Sequence, residues 1–166
     1  GQVREGEPFA RPQIPSREEL LENAKSVEQL VQEHTDRLKE IVDEIGWPSK
    51  HLVGFDGAHA AFMLLQQSND EQFRAEAVQL MQQLPKGQVD ADDLALMTDR
   101  VAVEQGKPQT YGTQISCNRA TGELEIIGGL IDEANLDRRR AEIGLPPAKL
   151  DFADARYKFG ACVEGD

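Results

Sequence analysis

Four side chains able to move protons or hold anions, His59, Asp99, Arg100 and Tyr111, together with the amides of Gln66, Gln109 and Gln114, are the residues of this chain best suited to a shared polar site. An imidazole can act as general base or acid, a carboxylate can orient it, and a guanidinium can hold an anionic group. A phenol and amides can donate toward developing charge. Most of the set falls between Asp99-Arg100 and Tyr111-Gly112-Thr113-Gln114, where Gly106-Lys107-Pro108-Gln109 supplies the turn residues. The set suits a polar small molecule or a peptide-like group. It specifies no reaction, because the chain has no Gly-rich phosphate loop, CxxC pair, HExxH or nucleophile elbow.

Each residue also has a structural reading. His59 and Gln66 stand seven positions apart, nearly two helical turns, on one face with Phe62 and Met63. A buried imidazole or amide costs about 1–3 kcal/mol unless it finds a hydrogen bond, so the pair either meets partners inside or lines a cavity. Asp99 sits in the last turns of a helix, where a negative charge is unfavourable, and so requires a specific partner, an arginine being the ordinary one. In a strand, Gln109, Tyr111 and Thr113 share one face, and Thr110 and Gln114 the other, unless Gly112 makes a bulge. Two functions compete on these residues. One is a small enzyme with His59, Asp99, Arg100 and Tyr111 as its machinery and Gln66, Gln109 and Gln114 as its binding groups. The other is a non-catalytic binding or interaction module, whether accessory, protective or ligand-sensing, in which the polar set is a buried hydrogen-bond network.

The elements that must position these groups are mostly helical. Ser16 with Glu19 reads as a capping box, and apolar residues then recur at intervals of three and four from Leu20 to Ile45, as one long helix or two abutting ones ending at Gly46. Further helices are expected over 57–67, 71–84 and 91–105, the last stopped by Gly106. Residues 110–117 and 123–127 alternate like strands across a Gly-containing connection, and a short helix follows over 133–142. The fold class is therefore mainly α, a single helical domain over 16–166 with one small antiparallel hairpin near 110–127. Residues 1–15, with Pro8, Pro12 and Pro15, read as an extended arm.

With 166 residues, one domain accounts for the chain. Eighteen Lys and Arg against 30 Asp and Glu leave a net charge of -12, which repels phosphate backbones and anionic bilayers, so neither nucleic acid nor membrane is expected as a partner. A small-molecule ligand or a protein partner is expected instead, with the oligomeric state open. Arg138-Arg139-Arg140 reads as the solvated face of a helix. Cys117 and Cys162 have no metal or redox spacing and read as free, buried thiols. His34 and His51 read as solvent-facing or capping, and Glu33 lies where it can swing into a cleft. No metal and no cofactor are expected. With no membrane span or signal-type segment, the expected location is cytoplasmic, although the chain opens at Gly1 rather than Met, which leaves a removed leader open.

One resemblance adds to this reading. The stretches Arg37-Leu38-Lys39-Glu40-Ile41, Gly46-Trp47-Pro48, Val53-Gly54 and Gly57-Ala58-His59-Ala60-Ala61, then Gln66, Asp99-Arg100-Val101, Gly106-Lys107-Pro108-Gln109, Tyr111-Gly112-Thr113-Gln114 and Arg139-Arg140 with Gly144-Leu145-Pro146, resemble a bacterial domain of unknown function, DUF6624, over residues 30–150. The resemblance implies bacterial origin and a common fold, and it supplies no activity. Where the family pattern continues from glutamine to histidine after the second helix's apolar run, this chain has Gln66-Gln67, which leaves His59 as that helix's ready proton carrier.

Overall fold

Ser16 opens the first helix as its spacing to Glu19 predicts: the serine hydroxyl accepts from the Glu19 N–H at 3.2 Å, and the Glu19 carboxylate accepts from the Ser16 N–H at 2.7 Å. In the computed structural model, which describes residues 15–118 and 120–149, this helix, α1 (Arg17–Ile45), is continuous. The expected arm at the N-terminus lies outside the described residues. The chain then forms α2 (Lys50–Gln67), α3 (Glu71–Gln82), α4 (Ala91–Glu104), a hairpin of β1 (Ile115–Asn118) and β2 (Glu123–Ile126), a 3-10 turn (Glu133–Asn135) and α5 (Leu136–Ile143). The protein is mainly α with a two-stranded antiparallel sheet.

Two boundaries differ from the sequence reading. Helix α2 begins seven residues early because Lys50–Val53 forms a turn of its own before Gly54, whose φ of 76° kinks the helix. Residues 110–114 were expected in the first strand but lie outside it, and β1 pairs with β2 only from Ile115↔Ile126 to Asn118↔Glu123. What replaces the missing ladder is described below.

The core lies among the first four helices. Leu38 of α1, Phe62 and Leu65 of α2, Phe73, Ala77 and Met81 of α3 and Met97 of α4 form one buried cluster with Trp47, the residue between α1 and α2. Each fully buried large side chain of this kind contributes about 1.5–3 kcal/mol relative to exposure. Two ion pairs fasten helix ends to this core. Lys39 meets Asp70 at 2.5 Å while the other Asp70 oxygen caps α3 through the Phe73 N–H at 2.8 Å, and Lys50 meets Asp90 at 2.6 Å. From α1, Leu38 lies in this cluster and Val42 packs against it. Leu20, Leu21, Val27 and Leu30 are exposed among the described residues.

Candidate functional site

Residues Gln109–Gln114 form an irregular loop between α4 and the hairpin, and side chains from three elements satisfy its backbone. Asp99, fully buried on α4, is the hub: Oδ1 accepts the N–H groups of Thr110 (2.7 Å) and Tyr111 (3.0 Å), and Oδ2 accepts both the N–H and the hydroxyl of Thr113 (2.9 Å each). Helix α5 addresses the opposite polarity of the same loop, with Arg139 Nε donating to the Thr110 carbonyl at 3.0 Å and the Arg140 guanidinium donating to that of Tyr111 at 2.8 Å. Gln109 completes the set from within the loop. Its Nε2 donates to the carbonyls of Gln114 (2.8 Å) and Ile127 (2.7 Å), and its Oε1 accepts the Gln114 N–H at 2.9 Å.

This accounts for the short strand. Backbone N–H and C=O groups must be paired when buried, and here a carboxylate, two guanidiniums and an amide take the places that a neighbouring strand would fill. The strand alternation expected for Gln109–Gln114 is therefore corrected. Gly112 lets the loop pass over the hairpin: it has φ of 70°, and an added Cβ would lie 3.2 Å from Ile126 and 3.3 Å from Leu130.

The seven expected site residues fall into separate groups. Asp99, Gln109 and Gln114 meet as described. Tyr111 joins them through its backbone. Its phenol is half-buried, and burial, with the Asp99 charge adding to it, raises its pKa above the ordinary value near 10, so at neutral pH it is a neutral hydroxyl rather than a base. Arg100 and Gln66 also meet, but again through a backbone group. The guanidinium donates to the Gln66 carbonyl at 2.6 Å and to Glu104 at 3.0 Å, and Glu104 in turn takes the buried Arg74 at 2.8 Å. Arg74 also donates to the Ser68 carbonyl, so this second cluster ties the end of α2 to α3 and α4.

His59 joins neither group. Its side chain is 54% exposed, and its Nδ1 lies 3.9 Å from Asp93 in the first turn of α4. Asp99 is six residues further along α4, roughly 9 Å along the helix axis. The expected pairing of His59 with Asp99 is thus corrected, and so is its reading as a buried core histidine. Asp93 has its carboxyl pushed up from the ordinary range by burial and by the neighbouring Asp90, with His59 pulling it the other way.

Two further expectations change. Of the three consecutive arginines, only Arg138, 71% exposed, is a solvated surface residue. Arg140 is fully buried, with a second bond to the Pro146 carbonyl at 2.6 Å, and Arg139 also reaches the carbonyls of Asp132 and Ile131. The signal was present in the spacing: Leu136, which is buried, and Arg140 stand four apart on one helical face. Cys117 is exposed and disulfide-bonded rather than a free buried thiol, and Cys162, the chain's other cysteine, lies outside the described residues. Glu33 stays on the surface, bonded by Gln29 at 3.0 Å, and His34 and His51 are exposed as expected.

No helix among the described residues is long and apolar enough to cross a membrane. A sequence profile described as "Family of unknown function (DUF6624)" matches residues 15–157. No curated protein and no solved structure matches the chain.

Proposed function

The chain belongs to the DUF6624 family, and from the geometry of its own residues we propose that it is a non-catalytic binding module, in which the Asp99, Gln109, Arg139 and Arg140 network is architecture. One observation carries this reading. Both oxygens of Asp99 accept hydrogen bonds from the loop they hold, four in all, which leaves the carboxylate no room to orient an imidazole. The same holds for Gln109, whose amide is engaged at both ends by backbone groups. A catalytic set is expected to face a substrate; this one faces the chain.

Thermal unfolding separates this reading from the enzyme reading, in which the same residues are machinery. Substituting Asp99, Gln109 or Arg140 should lower the Tm by several degrees, whereas in the enzyme reading the same substitutions should leave stability intact or raise it; His59→Ala, at an exposed position, should leave the Tm unchanged. Network variants that melt with the wild type would overturn the proposal.

The location follows from Cys117. A disulfide persists in oxidising compartments and is rare in the cytoplasm, so we place the protein outside the reducing cytoplasm, contrary to the expectation from the sequence. With the bacterial origin that the family resemblance implies, the periplasm or the cell exterior fits. Alkylation of the unreduced, unfolded chain should find no free thiol, and two labelled thiols in protein freshly isolated from its host would return it to the cytoplasm.

A further inference from the structure

The first half of α1 carries an apolar face that stands open among the described residues. Residues 17–30 are all exposed, with Leu20, Leu21, Val27 and Leu30 at 52%, 56%, 60% and 49%. The core covers this same face further along the helix. Leu20 and Leu38, like Ala24 and Val42, stand 18 positions apart, about five turns, and so point the same way. Leu38 lies in the core, Val42 packs against it and Thr35 is buried, so from Thr35 onward the protein's own body occupies the face. Glu18, Glu22 and Lys25 lie on the far side of α1. A helical stretch as short as this open half is marginal in water unless its apolar face is packed.

We propose that this face pairs with the same face of a second copy of the chain, the two α1 helices running antiparallel about a two-fold axis between Lys25 and Ser26. The stripe is self-complementary about that axis. Leu20 comes level with the partner's Val31 and Ala24 with the partner's Val27, each contact occurring twice as an isologous interface requires, while Leu21 and Leu30 flank the seam on its two sides. The lengths also fit. His34 comes level with the partner's Arg17, where that helix begins, and the buried Thr35 follows at once, so the paired span ends where each body starts. A parallel partner would run into that body instead. Charge permits the contact: the chain carries -12, but the acids on the far side of α1 let two copies meet without opposing like charges across the seam. The paired strip is about 27 Å long and about 10 Å wide, short of the roughly 800 Å² per partner of a standard interface, which makes the dimer weak, with a dissociation constant on the order of 100 µM. The face is separate from the Asp99 network, and its pairing does not depend on the binding-module reading.

Sedimentation equilibrium of the full chain reads the association. Between about 10 µM and about 1 mM, tenfold either side of the expected constant, the average mass should rise from that of one chain toward that of two. Val27→Glu puts a charge on the seam and should weaken association by about tenfold or more, whereas Gln29→Glu on the far side should leave it unchanged. Direction is read by mild oxidation of single-cysteine variants with the native disulfide intact. A mixture of Leu20→Cys and Val31→Cys should give a disulfide-linked mixed dimer. Leu20→Cys alone should give none, because its two copies lie about 16 Å apart along the helices, too far for a disulfide. A mass that stays at one chain at about 1 mM would overturn the proposal, as would association that Val27→Glu leaves intact or a linked homodimer of Leu20→Cys. The Tm of Val27→Glu at about 10 µM, where the protein is mostly monomeric, guards against a different cover. Glutamate is the better helix former, so a lower Tm there would mean that the face is packed within its own chain, and the pairing would fall.

Discussion

Asp99 holds Thr113 twice, taking its N–H and its hydroxyl on the same carboxylate oxygen, each at 2.9 Å. The other oxygen holds Thr110 and Tyr111. Asp99→Asn keeps the shape of the side chain but turns an NH2 group toward one pair of donors. Bonds to charged groups contribute about 1.5–3 kcal/mol each, and a buried donor left unpaired costs about as much, so the variant should lose about 3 kcal/mol. For a chain of this size that is roughly 6–12 °C in Tm. Circular dichroism melts check it, and a shift under about 2 °C, less than 1 kcal/mol, would contradict the assigned role.

Gln109→Glu exchanges the donor facing the Gln114 and Ile127 carbonyls for an acceptor and places a charge in a fully buried position. The loss should be about 2–4 kcal/mol at pH 7. Because the introduced carboxyl is neutral at low pH and then donates one bond, the deficit relative to wild type should shrink as pH falls. Urea unfolding at two pH values reads this directly.

Arg140 and Arg138 should respond differently to the same substitution. Lysine at 140 cannot reproduce a fork that reaches both the Tyr111 and the Pro146 carbonyls, and Arg140→Lys should cost about 2 kcal/mol. Arg138→Lys, on the solvated face, should stay within about 0.5 kcal/mol of wild type. Equal losses from the two would show that the buried guanidinium does not act as a fork.

Thr98 Oγ1 is the one buried side-chain polar atom among the described residues that lacks a hydrogen-bond partner. Valine has nearly the same shape and helix propensity and carries no hydroxyl to leave unpaired. Thr98→Val should therefore gain about 1 kcal/mol, or roughly 2–4 °C in Tm, in a melt of the single variant. A loss of stability would mean that this hydroxyl is paired in solution.

The raised pKa of Asp93 fixes a sign for pH dependence. The folded state holds this proton more tightly than the unfolded chain, so the stabilisation from protonated Asp93 is fully present below the unfolded value near 3.9 and is lost as pH rises through the folded pKa. Asp93→Asn removes that loss. Its stability relative to wild type should improve between about pH 3 and pH 7, and an advantage confined to the acid side would reverse the assignment.

Local order in this protein was legible in the amino-acid sequence because it arises from neighbours three and four residues apart. The capping box at Ser16, the apolar period of α1, the stop at Gly106 and the hairpin around Gly122 all depend on contacts of that range, and the structure has each of them. Asp99 and the loop residues Gln109, Tyr111 and Gln114 were also visible as an unusual polar concentration. Their purpose was not, because a carboxylate on α4 and a guanidinium on α5 find their partners across 11 and 29 residues of chain, and only the packing of the helices sets those distances. Tertiary structure alone therefore decided that Arg140 is buried and His59 exposed, and that the loop's backbone claims the hydrogen bonds a substrate was expected to use.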